Sequence, residues 1–162
     1  THVIFAWRRC CMCISVAIIM DDAAHNNDEI FVYTGGDQVV PNDVRRVRID
    51  KSVKIIPRRA FEFRRRLIDI EFHDGIETIE KRAFFSCILL RGVKLLGIKV
   101  IGIGAFSACS GLIDVEFGDT LETIEGRAFQ LCYSLTRIRM PFVRSIHRAA
   151  FMGCVQLTDL EF

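Results

Sequence analysis

The chain has 162 residues, 51% of them hydrophobic and 26% charged, so it can bury one sizeable core and is neither disordered nor of low complexity. With 22 Lys and Arg against 20 Asp and Glu the net charge is +2, which supplies no global field to attract nucleic acid or an anionic surface. Partner choice must come from local patches.

Residues 1–28 form an irregular N-terminal flank. Cys10 to Met20 is an eleven-residue, mostly apolar run behind Arg8-Arg9, too short to span a bilayer but within range of a signal-peptide core. Asp22 occupies the −3 position of the best cleavage site, which weakens that signal. Three readings stay open: a packed or disordered flank, a targeting segment, or acylation of Cys10, Cys11 or Cys13. Only the last two would bring in a membrane. The CxxC from Cys10 to Cys13 is weak evidence for redox or zinc chemistry, because no second pair stands downstream at ligand spacing.

Residues 29–43, EIFVYTGGDQVVPND, read as two extended segments around Gly35-Gly36, a hairpin signal. This hairpin is expected to cap the segment that starts at Val44.

From Val44 to the end the chain is periodic. Cys87, Cys109, Cys132 and Cys154 are separated by 22, 23 and 22 residues, and an Ala-Phe pair precedes each: Ala83-Phe84, Ala105-Phe106, Ala128-Phe129 and Ala150-Phe151. One repeat earlier Ala60-Phe61 is followed by Arg64 in place of cysteine. Units begin at Val44, Leu67, Leu90, Leu112 and Leu135, and a sixth begins at Leu157, so residues 44–162 hold five repeats and the start of another. The missing initiator methionine and the break within a repeat read as a piece of a longer array. A unit of this size cannot bury its apolar side alone, so neighbours must stack into a solenoid.

The opening of each unit, as in LIDIEF and LIDVEF, alternates apolar and polar residues and predicts one short strand per repeat. The stretch up to the cysteine, IEKRAFFSC, has apolar residues four, five and eight apart and predicts a helical or 3₁₀ return. The expected fold is therefore an α/β solenoid with one parallel sheet and short helical or 3₁₀ return segments. Phe106 and its equivalents are expected in the core, with the cysteines as buried, inert thiols.

The pattern LxxIxF followed by LxxIxxxAFxxCxxL resembles the BspA-type leucine-rich repeat, over about residues 44–162. The resemblance implies a right-handed curved solenoid that works by binding, at a cell surface or after secretion, with no catalytic residues to carry over. Three departures stand out: Arg64 for cysteine, proline after the strand only at Met140-Pro141, and no asparagine ladder.

Charge alternates between successive strands. One strand position runs Arg46, Asp69, Gly92, Asp114, Arg137, Asp159, and another runs Arg48, Glu71, Lys94, Glu116, Arg139, Glu161. Opposed charges across adjacent strands stabilise register, each by about 0.2–1 kcal/mol. These columns are either a self-neutralising solvated face or a recognition surface for a protein partner, with Arg46, Arg48, Asp69, Glu71, Lys94, Asp114, Glu116, Arg137 and Arg139 as candidates. Nucleic acid is excluded, because a phosphate backbone requires one sign of charge along a stripe.

The first repeat is strongly basic: between Val44 and Leu67, ten basic residues face Asp50 and Glu62, net +8. Either acids such as Asp37 and Asp43 pack beside it, or Arg58, Arg59, Arg64, Arg65 and Arg66 form an anion site for phosphorylated, sulfated or lipid-headgroup partners. Gly102-Ile103-Gly104 lacks the third glycine of a dinucleotide fingerprint, and His2, His25, His73 and His147 are scattered. No enzyme activity, cofactor or metal is expected. The sequence thus reads as a protein-interaction module or scaffold. The alternative is a surface or secreted adhesion element for glycan, matrix or another polyanion. Compartment and oligomeric state stay open.

Overall fold

A computed structural model describes residues 29–161. They form a β-solenoid of about five turns in which every strand pairing is parallel. Seven longer strands line one face: β1 (Ile30–Tyr33), β2 (Arg46–Ile49), β4 (Asp69–Glu71), β6 (Gly92–Leu95), β8 (Asp114–Phe117), β10 (Arg137–Arg139) and β12 (Asp159–Glu161). Five two-residue strands line a second face: β3 (Ile55–Ile56), β5 (Thr78–Ile79), β7 (Val100–Ile101), β9 (Thr123–Ile124) and β11 (Ser145–Ile146).

The expected single sheet is thereby corrected. The first face divides into β1-β2-β4 and β6-β8-β10-β12, and the second is a continuous five-stranded sheet. Between β4 and β6 the ladder lapses, leaving the Arg91 N–H donating to Ile68 O at 3.4 Å.

The expected helical returns are also absent among the described residues, and the backbone gives the reason. In an α-helix each N–H bonds back along its own segment. Here alternate N–H groups bond across repeats instead: Arg59, Phe61 and Phe63 donate to Lys81, Ala83 and Phe85 of the next turn, at 3.2, 2.7 and 2.8 Å. The intervening ones, Ala60 and Glu62, close three-residue turns onto Pro57 and Arg59. Left-handed residues four apart recur in every return: Arg59 and Phe63, Arg82 and Ser86, Gly104 and Ala108, Arg127 and Leu131, Ala149 and Gly153. They reverse the chain before a helix can propagate.

Identical positions stack into columns. Leu67, Leu90, Leu112 and Leu135 are fully buried, as are Ile56, Ile79, Ile101 and Ile124. Phe61, Phe84, Phe106, Phe129 and Phe151 stack with ring planes within 10° of parallel and centroids 4.8–5.5 Å apart. Beside them Cys87, Cys109, Cys132 and Cys154 each donate S–H to the carbonyl of Phe61, Phe84, Phe106 and Phe129 at 3.0–3.2 Å. Burial pushes the Cys109 thiol well above its ordinary pKa, and hydrogen bonding to Cys154 together with burial does the same to Cys132.

The N-terminal end is closed differently from the expected hairpin. A turn forms at Gly35 and Gly36, both left-handed, but no second strand is present within residues 34–43. Strand β1 instead pairs in parallel with β2, and the Tyr33 ring meets Phe61 edge-on at 5.0 Å. The Gln38 side chain takes the outer edge: its Oε1 accepts the Thr34 N–H at 2.7 Å and its Nε2 donates to Val32 O at 3.2 Å. An exposed strand edge is thus occupied by one amide, which blunts it against pairing with other chains. The first repeat has no preceding phenylalanine carbonyl for a thiol to reach. Arg64 takes the cysteine's place, donating from Nε to Val40 O and from its terminal nitrogen to Glu62 O, both at 2.9 Å.

Candidate functional site

Burial alternates along the longer strands, as at Arg46-Val47-Arg48-Ile49, so every second side chain points out. All nine residues singled out on the strand positions lie on this face, in rows set by pairing. Arg46 is opposite Asp69 and Arg48 opposite Glu71; Gly92 and Lys94 are opposite Asp114 and Glu116, which are in turn opposite Arg137 and Arg139. Arg48 Nε donates to Glu71 Oε2 at 2.6 Å, and Lys94 Nζ lies 3.5 Å from Glu116 Oε2. The lapse in the sheet falls between Glu71 and Lys94, leaving these as two separate pairs.

A second charge column escaped the sequence reading. One residue before each two-residue strand stand Lys54, Glu77, Lys99, Glu122 and Arg144, and their backbones hydrogen-bond in that order. Lys99 Nζ donates to Glu77 Oε2 at 2.8 Å. This bond, with the Lys99 charge, holds the Glu77 carboxyl below its usual range and raises Lys99 above its own. Glu80 and Glu125, 45 residues apart, accept the backbone N–H of Arg58 and Ile103 in the preceding turn at 2.8 and 2.9 Å. Whole repeats therefore alternate in charge, at +8, −3, +3, −4 and +4 from Val44 to Gln156. The signal was readable as the 45-residue period carried by several positions at once.

The five arginines expected to form an anion site differ in how far they are committed to partners. Arg64 is committed to Val40 O and Glu62 O and is removed from that set. Arg59 Nε lies 3.4 Å from Glu62, which also faces Arg82 at 3.8 Å. Among the described residues, Arg58, Arg65 and Arg66 form no ion pair, and neither Asp37 nor Asp43 pairs with the basic repeat.

The described residues bring together no metal-ligand cluster. His73 accepts the Gly75 N–H at Nδ1, 3.1 Å, and its Nε2 meets Asp50 O at 3.0 Å, which ties one inter-strand loop to the next. His147 lines a shallow depression with Ile103, Glu125 and Met152, where Glu125 is already bound to backbone. Cys87, Cys109 and Cys132 are fully buried, and an enclosed thiol is a poor nucleophile. No helix among the described residues is long and apolar enough to cross a membrane. The CxxC and the proposed targeting or acylation segment lie outside the described residues.

Comparison with known proteins gives a consistent answer. A model of the BspA-type leucine-rich repeat region matches residues 42–160 in six copies. A leucine-rich cell surface protein from Faecalibacterium prausnitzii is 35% identical with a TM-score of 0.64, over 72% of this chain and 32% of that one. A T. pallidum leucine-rich repeat protein is 34% identical with a TM-score of 0.68, over 71% and 55%. A leucine-rich repeat protein from Eubacterium ventriosum, at 22% identity and a TM-score of 0.62, shares the fold. This chain thus spans about a third to a half of the solved proteins it matches. No curated protein matches it.

Proposed function

The chain belongs to the BspA-type leucine-rich repeat family, and from that premise we propose that it binds a protein partner through its strand face. The supporting observation is the register of the outward side chains. Arg46 and Arg48 with Asp69 and Glu71, and Lys94, Asp114, Glu116, Arg137 and Arg139 in a second group, stand on parallel rungs about 4.8 Å apart within each sheet, with opposite charges on neighbouring rungs. A partner carrying the complementary period gains specificity from every rung, because a shift of one strand sets like charges against each other. Residues 44–162 are read as the binding array, right-handed as the family resemblance implies. Residues 29–43 are read as its cap and residues 1–28 as a separate flank. The repeat family is one that typically works without catalysis.

The test is capture from the source organism with three baits: the native chain, a strand-face variant with Glu71→Lys, Glu116→Lys and Arg139→Glu, and a variant of the second column with Glu77→Lys and Glu122→Lys. A partner lost only from the strand-face variant supports this reading. Equal recovery by all three baits contradicts it.

A second reading rests on Arg58, Arg65 and Arg66, which have no carboxylate partner among the described residues. In it, the basic first repeat binds a sulfated or otherwise anionic glycan or matrix. A relative described as a cell surface protein favours that setting. Retention on heparin that disappears in the Arg58→Ser, Arg65→Ser, Arg66→Ser variant supports it, and unchanged retention refutes it.

A further inference from the structure

The return face of the first two repeats combines exposed apolar side chains with the densest positive charge in the chain. Phe63, Ile88 and Leu89 are 49%, 38% and 47% exposed. The Phe63 ring meets the partly buried Phe85 edge-on at 5.4 Å. In the repeat frame Ile88 and Leu89 stand one turn along from Arg65 and Arg66, which joins the apolar and basic groups in one patch. The guanidinium carbon of Arg65 lies 5.9 Å from the Phe63 ring centroid, and that of Arg82 lies 4.6 Å from the Phe85 centroid. Two acids meet this cluster: Glu62, shared by Arg59 and Arg82, and Glu80, which accepts the Arg58 backbone N–H at 2.8 Å.

Large apolar groups in this patch are not demanded by the fold. At the position of Phe63 later repeats place Ser86, Ala108 and Gly153 as well as Leu131, and at Ile88 they place Ser110 as well as Tyr133 and Val155. Leu89 is succeeded by Gly111, Ser134 and Gln156. Phe63 moreover holds a left-handed φ of 61°, a backbone conformation unfavourable for a bulky residue. Burial therefore does not account for these side chains, and contiguous exposed apolar groups mark interaction sites.

We propose that this patch docks the protein on an anionic lipid bilayer, with Phe63, Ile88 and Leu89 entering the interface and Arg58, Arg59, Arg65, Arg66 and Arg82 contacting lipid phosphates. The pairing of chemistries selects this occupant. Aliphatic side chains such as Ile88 and Leu89 offer a glycan no hydrogen bond, but they gain free energy by leaving water for acyl chains. Guanidinium groups bind phosphate in a bidentate manner and are drawn to an anionic leaflet. This inference stands apart from the strand-face reading, and its failure would leave that reading untouched.

The experiment is co-sedimentation of the full chain with phosphatidylcholine vesicles, with and without phosphatidylserine, in parallel with heparin chromatography. The test variant is Phe63→Ser, Ile88→Ser, Leu89→Ser, each residue taken from the same column of another repeat, with Leu89→Ser alone as the milder second variant. Binding to the phosphatidylserine vesicles is expected in the native chain, with a loss of at least about tenfold in the triple variant at unchanged net charge and unchanged heparin elution. The single variant falls between them. Triple-variant binding equal to native would overturn the proposal in favour of a purely electrostatic polyanion site. Failure of the native chain to sediment with phosphatidylserine vesicles would overturn it outright.

Discussion

Cys87 donates its S–H to the carbonyl of Phe61, 26 residues earlier, at 3.1 Å, and the same bond recurs in each later turn of the coil. Each of these carbonyls also accepts a backbone N–H, from Arg64, Cys87, Cys109 and Cys132 in turn, so what the bond spares is the thiol, which finds an acceptor beside the phenylalanine stack. The burial of Cys109 makes stability depend on pH. Cys109 in the folded chain has a pKa raised above its ordinary value near 9.0, so the folded state favours the protonated form. Its contribution to stability is complete below that ordinary value and is lost as the pH rises above it. Thermal midpoints should therefore fall above about pH 9, with Tyr33, also raised by burial, adding to the fall near and above its ordinary value of 10.0. Cys109→Ala should flatten this slope while lowering stability at neutral pH. An equal slope in the variant would remove the thiol from the account.

Phe106 lies mid-stack, fully buried, with its ring 5.0 Å from Phe84 and 5.3 Å from Phe129. Phe106→Ala should cost about 3–5 kcal/mol. Glu116→Lys breaks an exposed pair with Lys94, and such pairs contribute about 0–1 kcal/mol. Denaturant unfolding of both variants measures the contrast. Comparable losses would contradict the stacked core.

Gly97 and Gly118 occupy places where a neighbouring turn comes close. A Cβ on Gly97 would sit 1.8 Å from Asp74 O, and one on Gly118 2.0 Å from Leu96 O. Backbone cannot yield as a flexible side chain does, so either substitution to Ala should destabilise by about 1–3 kcal/mol or more. Gly92, whose added Cβ would meet Asp114 O at an ordinary 3.7 Å, is the control, and Gly92→Ala should be near neutral. Equal melting curves for Gly97→Ala and Gly92→Ala would contradict the tight coil.

Arg64 separates from its neighbours. Arg64→Ser removes a charged donor from Val40 O and Glu62 O and should destabilise by about 1–3 kcal/mol. Arg65→Ser and Arg66→Ser should leave the thermal midpoint almost unchanged. A harmless Arg64→Ser would show that the segment around Val40 is held by other contacts.

The legible parts of this fold were those repeated often enough to be checked against themselves. The Ala-Phe pairs and the cysteines fixed the core columns, and the alternation in segments such as LIDVEF fixed the longer strands and their outward charges. The returns misled because apolar spacings of four, five and eight suit a helix and also a pair of turns with left-handed residues four apart, as at Arg82 and Ser86. A two-residue strand such as Thr78–Ile79 is too short to show alternation, so the second sheet and its Lys54–Glu77–Lys99 column were missed. At Gly35-Gly36 the turn was legible, but what pairs with the edge of β1 is the Gln38 side chain, and no periodicity announces a single amide. Arg64 looked like one more member of a basic cluster because its two carbonyl partners are backbone, invisible to composition.

The central claim is recognition through the strand face, and the most direct measurement is a binding isotherm of the captured partner against purified chains. The native protein, the strand-face variant Glu71→Lys, Glu116→Lys and the second-column variant Glu77→Lys, Glu122→Lys share one partner preparation, and the two variants carry the same change in net charge. The account predicts an affinity loss of at least about tenfold for the strand-face variant, with the second-column variant close to native. Equal weakening in both, or a loss confined to the second-column variant, would contradict it.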